Sequence, residues 1–266
     1  MVGDMNIRFY EKVLEWSRAG KRMAVVSIVE TVGSTPRKAG AKMLVSDRLE
    51  LFGTIGGGCV EADVIFAARD VMRTMKPQVV RVDIKAKNAD EIDMLCGGEL
   101  TLYVEPVMPD YKLLICGGGH ISKALSRVCE GLEFRITVVD DREHFANNER
   151  FPGVETVFCD YGDLTKKVTV TPLTFCVVVT RGHGGDEVCL RQLLATDAPY
   201  IAMVGSRGKW AILKKNLKDG GFTDAQVGRV VCPAGLDIHS ITPEEIAVSI
   251  AAQLIQSRAK VMTAGA

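Results

Sequence analysis

Apolar positions change rhythm along this chain, and the change falls near residue 107. In residues 7–19, Ile7, Tyr10, Val13, Leu14 and Trp16 recur at helical spacing. This predicts an amphipathic helix buried on that set of side chains, with Gly20 as its stop. Residues 23–29 (MAVVSIV) and 41–46 (AKMLVS) are short, dense apolar runs and read as strands. An alanine-rich stretch over 59–75, opened by three glycines, reads as a helix, and 79–84 and 99–107 read as further strands. Pro106 and Pro109 mark a linker over 106–111. The expected domains are therefore residues 1–107 and 112–266.

From residue 112 the pattern becomes apolar strand, turn, amphipathic helix, repeated. Strands are expected at 112–117, 135–140, 155–160, 175–180 and 200–205, with helices near 121–131, 185–196, 208–219 and 243–260. Such alternation belongs to a parallel sheet. Thr242, Pro243 and Glu245 open the last helix with a capping box and the favoured proline placement. The expected fold class is α/β: an N-terminal α/β domain followed by a Rossmann-like parallel-sheet domain.

Composition narrows the function. The 266 residues carry 33 basic and 33 acidic side chains, 15 of each up to Val107 and 18 of each after it. Neither part has the basic excess that a phosphate backbone demands, and 6% aromatic content offers little for base stacking, so nucleic acid is not an expected partner. The charged first residues lack the apolar core of a secretory signal. No apolar run approaches the ~18 residues of a membrane span. The eight cysteines include no C-x-x-C pair. A disulfide framework and a structural zinc site are both disfavoured, and a reduced, cytoplasmic protein is expected. Cys129, Cys159, Cys176 and Cys189 read as small buried hydrophobes.

Three places carry candidate chemistry. Gly117, Gly118 and Gly119 follow a strand and precede a helix, as in dinucleotide-binding turns; Gly117 and Gly119 take the two close-approach roles and Ser122 the third small position. Asp140, at the end of the next strand, is placed to accept from a ribose hydroxyl. Arg181 and His183 follow a later strand, where an anionic ligand of an open α/β sheet would sit; equally, Asp186 could cap the helix there and His183 bond the loop. Arg207 repeats that placement one strand on. In the first domain, Gly56, Gly57, Gly58 and Cys59 open a helix that carries Glu61. Backbone amides and a helix N-terminus make an anion pocket and lower the pKa of a thiol there. Cys96-Gly97-Gly98 sets a second sulfur beside glycines, which could hold a soft metal or simply serve a turn.

The motifs Gly33-Ser34-Thr35-Pro36-Arg37, Gly53 to Glu61, Cys96-Gly97-Gly98 and Gly117-Gly118-Gly119-His120 recur in order in a known family. So do Val139 to Arg142, Thr180 to His183, Gly205-Ser206-Arg207, Gly235 to Ile238 and Thr242 to Ile250. The chain closely resembles the xanthine dehydrogenase accessory factor (XdhC/CoxI) family. The resemblance implies an accessory chaperone rather than an enzyme. Such a protein binds the molybdenum cofactor (molybdopterin), assists its sulfuration with a cysteine desulfurase and inserts it into a xanthine dehydrogenase-type molybdenum hydroxylase, acting as a homo-oligomer. Carried onto this sequence, it implies Gly56–Gly58 as cradle, Cys59 as a candidate molybdenum contact, and Glu61, Cys96, Gly117, Gly119, His120, Asp140, Arg181 and His183 as cofactor-binding. The alternative is an NAD(P)-dependent oxidoreductase using the second domain.

Overall fold

A computed structural model describes residues 2–84, 98–107 and 110–264. The chain divides into two compact units, Met1–Pro109 and Asp110–Ala264.

In the first unit, MAVVSIV is apolar without alternation because both faces of its strand are covered. The elements are α1 (Val2–Arg18), β1 (Met23–Gly33), β2 (Lys42–Ser46), β3 (Leu51–Gly53), α2 (Cys59–Thr74), β4 (Gln78–Ile84) and β5 (Gly98–Val107). The strands form an antiparallel sheet in the order β3-β2-β1-β5-β4. Ala24, Val26, Met43, Val45, Leu100 and Leu102 pack under Val60, Val64, Ala68 and Val71 of α2. Met23, Val25 and Leu44 face Phe9 and Trp16 of α1 on the other side.

Three expectations change here. The face of α1 is not the anticipated one: Ile7, Tyr10 and Leu14 are exposed, while Phe9 and Trp16 are buried with Val13 beside them. The helix holds two apolar stripes, and only the sheet beneath it selects between them. β1 runs four residues beyond 29, because its polar end still pairs with Gly98–Thr101 of β5 after a register shift at Ile28/Glu30. The short β3 was not anticipated.

In the second unit the parallel sheet is borne out. Its elements are β6 (Tyr111–Cys116), α3 (His120–Cys129), β7 (Phe134–Asp140), β8 (Glu155–Phe158), α4 (Leu164–Lys167) and β9 (Thr174–Val178). They continue with α5 (Gly182–Leu194), β10 (Tyr200–Met203), α6 (Arg207–Asp219), α7 (Asp224–Val227), β11 (Val230–Val231) and α8 (Pro243–Ala264). The strand order is β11-β10-β9-β6-β7-β8, all parallel. The order reverses between β6 and β9, so the loops after those strands border the crevice where doubly wound sheets take ligands. The capping box of α8 is present: the Glu245 N–H donates to Thr242 Oγ1 at 3.2 Å, and the Thr242 N–H to Glu245 Oε2 at 3.1 Å. β8 ends two residues early, because the Asp160 side chain accepts from the Gly162 N–H and turns the chain into a 3-10 helix.

Candidate functional site

In the first unit, the structure gathers separate sequence motifs at the start of α2. Gly33 pairs with Gly98 across β1 and β5. A Cβ on Gly98 would lie 2.5 Å from the Ser34 carbonyl oxygen and 2.8 Å from Thr35 Cγ2; one on Gly56 would lie 2.8 Å from Pro36 Cγ. The Gly33–Arg37 loop is therefore wedged between Gly56 and Gly98. Thr35 Oγ1 donates to the Arg37 carbonyl at 2.8 Å and folds that loop on itself.

Gly58 is the N-cap of α2 at φ 57°, ψ −135°, a conformation open to glycine alone, so the loop enters the helix at an angle no other residue would permit. Cys59 is the first residue of α2. Its side chain and all of Cys96 lie outside the described residues, so the two thiol expectations are not placed. Glu61 is placed, and it bonds within the loop. Its Oε1 accepts from Thr54 Oγ1 at 2.7 Å and from the Gly57 N–H at 3.1 Å. The protein's own carboxylate thus takes up one amide of the glycine loop and ties that loop to the helix. A Cβ on Gly57 would meet nothing within 4 Å, so the outer face of the loop is open.

In the second unit, the turn after β6 is held from every side. The Gly117 N–H donates to the Val139 carbonyl at 2.7 Å, and Ser122 Oγ donates to the Gly117 carbonyl. Gly117 has φ 109°, and a Cβ there would collide with the Val179 carbonyl; one on Gly118 would collide with the Phe145 carbonyl. Around Gly119 there is nothing within 4 Å, so the open approach lies there, with His120 exposed beside it.

Asp140 is fully buried. Its Oδ2 accepts from the Gly118 N–H at 2.7 Å and from Arg142 Nη2 at 2.9 Å. Its Oδ1 accepts from Arg142 N and Nε at 3.0 and 2.8 Å. A carboxylate offers about four lone-pair sites. All are engaged in this structure, and Asp140 closes the turn by joining Gly118 to Arg142. Burial works against its ionisation, yet the Arg142 guanidinium and the Gly118 N–H hold its pKa below the ordinary carboxylate value. Arg142 in turn lies over the Phe145 ring, 3.7 Å from its centroid. Arg150 Nε donates to the Gly118 carbonyl at 2.6 Å. The sequence offers Arg142 only as the end of the Val139–Arg142 motif, with no role attached, and nothing in the spacing of Arg150 distinguishes it from a surface cation.

After β9, Arg181 is exposed and forms the N-cap of α5, and His183 falls in the helix's first turn with its side chain outside the described residues. The helix begins at Gly182, so Asp186 lies inside it rather than capping it. Asp186 is fully buried; its Oδ1 accepts from Thr180 N and Oγ1 at 3.1 and 2.7 Å, and Lys209 Nζ pairs with Oδ2. The carboxylate locks the loop after β9 to α6, whose N-cap is Ser206, and leaves Arg181 and Arg207 exposed on the same sheet edge.

Cys129, Cys159, Cys176 and Cys189 are buried, as expected. Burial pushes the Cys129 thiol up to about 12 and raises the other three as well. No group of three or more His, Cys, Asp and Glu among the described residues is placed to hold a metal ion. No helix among them is long and apolar enough to cross a membrane.

Comparison with known proteins agrees with the motifs. Residues 16–83 match the family described as XdhC and CoxI, and residues 113–254 match the XdhC Rossmann domain. YqeB of Escherichia coli, an uncharacterized protein, is 29% identical over 235 residues, 88% of this chain and 43% of that protein. A Bacillus subtilis protein named as a probable xanthine dehydrogenase subunit is 25% identical over 161 residues, 60% of this chain and 47% of the relative. The molybdenum cofactor insertion chaperone PaoD of Escherichia coli is 32% identical over 96 residues, 36% of this chain and 30% of PaoD. The chain spans less than half the length of each of these relatives. A crystal structure described as a xanthine dehydrogenase from Bacillus halodurans superposes with a TM-score of 0.52 at 23% identity, covering 94% of this chain and 95% of that one, which is a likeness of fold. With more than half of its residues inside the Rossmann-domain match and most of its first unit inside the other, the chain belongs to the XdhC/CoxI family.

Proposed function

We propose that this chain is an accessory chaperone that carries the molybdenum cofactor to a xanthine dehydrogenase-type hydroxylase. Family membership supports the reading, as do the names of two relatives, one named for xanthine dehydrogenase and one for molybdenum cofactor insertion. The observation that carries it is the convergence of the Gly33–Arg37 loop, Gly56–Gly58 and Gly98 at the N-terminus of α2. A glycine loop opening a 16-residue helix suits the phosphate of a pterin cargo. Cys59 at that start suits a soft metal as a reversible thiolate contact. Gly57 donates to Glu61, so the cargo's anionic group would meet the amides from Gly58 onward. In this reading Cys96 supplies a second sulfur, and a cysteine desulfurase partner provides the terminal sulfido ligand. The protein works in the cytoplasm as a homo-oligomer.

The test is molybdenum and pterin fluorescence per monomer after gel filtration. Cys59→Ala should fold normally and lose most of the cargo, and activation of a client hydroxylase should fall with it. Cys129→Ala is the buried control and should keep the cargo. Retention of cofactor by Cys59→Ala, together with alkylation of Cys59 at an ordinary thiol pKa near ~8.5, refutes the thiolate role.

A second reading concerns the other unit. The open approach at Gly119, beside the reversal of strand order, favours a nucleotide over that turn. NAD(P) is the candidate of the oxidoreductase alternative, with His120, Arg181 and His183 nearest in sequence to the crevice. Nicotinamide-dependent turnover would support that alternative over the chaperone. Binding without turnover would make the nucleotide a ligand of the chaperone.

A further inference from the structure

The helix α2 has two sides. Val60, Val64, Ala68 and Val71 lie on the sheet. On the opposite side Ala62, Phe66, Arg69 and Arg73 recur at helical spacing and form one exposed row. Phe66, in the middle of that row, is 77% exposed. Beside it runs a groove of about 350 Å³, lined by Arg69 and Arg73 and further by Arg22, Asp47, Asp70 and Met72. Arg22 pairs with Asp47 at 3.5 Å and Arg73 with Asp70 at 2.6 Å, but Arg69 has neither an ion pair nor a hydrogen bond among the described residues. An exposed ring and an unpaired arginine beside a groove have the composition of an interface centre.

The order of charge along the row says what fits it. Asp63 flanks one end, and Arg73 closes the other. A parallel copy of the helix would set acid against acid and arginine against arginine. An antiparallel copy reverses the order and brings each Asp63 to an Arg73. Asp70, the other acid on that flank, is already held by Arg73 and by Gln78 Nε2, each at 2.6 Å. Opposed helix dipoles favour the same antiparallel order.

We propose that the outer row of α2 is the surface through which this chain pairs with a second copy of itself, antiparallel across a two-fold axis between Phe66 and Arg69. One patch serves both copies, as a two-fold contact requires. Each Phe66 ring settles against the other copy's Arg69, over its groove, so a cation–π contact is made twice. The proposal rests on the homo-oligomer of the proposed function and names its surface; it needs neither the cargo nor Cys59. The starts of the two helices lie at opposite ends of the contact, about 25 Å apart along the axes, so the two glycine loops stay apart.

The test is sedimentation equilibrium of the full chain, without cargo, over a range of concentrations. The parent is expected to form a dimer, and Phe66→Lys should raise its dissociation constant at least about tenfold. The side chain is exposed, so the variant should fold, and Trp16 fluorescence checks that it does. Asp63→Arg and Arg73→Asp should each weaken the dimer. The double variant Asp63→Arg/Arg73→Asp restores opposite charges across an antiparallel contact and should recover most of the loss. Ile212→Lys, at an exposed apolar position in the second unit, should leave the dimer as it is. A parent that stays monomeric at every concentration overturns the proposal together with the homo-oligomer. A dimer that survives Phe66→Lys overturns this surface alone. So does a double variant no tighter than the single ones, or a dimer broken only by Ile212→Lys.

Discussion

The Asp140 clamp makes the most exacting prediction, because its cost can be worked from the structure. Asp140→Asn keeps the side chain's shape, removes its charge and turns one oxygen into a donor. That donor must then face either the buried Gly118 N–H or the Arg142 guanidinium. Breaking a buried, hydrogen-bonded pair by removing one partner costs about 3–5 kcal/mol. A domain has only about 5–15 kcal/mol in hand. The second unit should therefore remain folded but lose a large part of its stability. Trp16 and Trp210 are the chain's two tryptophans, one in each unit. In a Trp16→Phe background, the fluorescence of Trp210 reports the second unit alone during urea unfolding. With a slope of about 2 kcal/mol/M, the midpoint should fall by about 1.5–2.5 M. The pH dependence supplies a second signature. The folded pKa of Asp140 is depressed, so its contribution is fully present above the unfolded value of about 3.9 and is lost as pH falls through the folded value. The gap between parent and variant should accordingly close below about pH 4. A midpoint shift under about 0.5 M, or a gap that persists in acid, would refute the clamp.

The remaining predictions test placement one residue at a time. Gly118→Ala should destabilise the second unit by at least about 1–3 kcal/mol, because its Cβ meets the Phe145 carbonyl, whereas Gly119→Ala, in open space, should be close to neutral; thermal unfolding of the pair decides. Phe9→Ala should cost about 3–5 kcal/mol in the first unit and Ile7→Ala less than about 0.5, read by the Trp16 transition, and equal effects would restore the face expected from periodicity. Glu61→Ala should cost about 1–2 kcal/mol by freeing Thr54 and Gly57, while Glu61→Gln, which keeps an acceptor, should cost less than half of that in the same assay.

Much of the architecture was legible in the sequence because strand and helix leave local marks. The short, apolar-rich runs at 112–117, 135–140 and 175–180, set among turns and amphipathic helices, read as buried parallel strands, and the Thr242–Glu245 capping box needs just four consecutive residues to form. Glycine-rich turns were visible for the same reason, since φ 109° at Gly117 and the Gly58 cap are properties of single residues. Contacts across the fold left no such mark. Periodicity found two apolar stripes on α1, and only the sheet beneath could choose Phe9 and Trp16 over Ile7 and Leu14. Asp140 stands where a ribose acceptor would, and nothing in the sequence announces that Arg142 and the Gly118 amide, brought to it by the β6–β7 pairing and the glycine turn, engage its lone pairs. Glu61 likewise stands in a glycine motif, and only the fold shows that Thr54 and Gly57 bond to it. A carboxylate's role is set by the donors that reach it in three dimensions, and those come from residues whose spacing in the chain carries no signal.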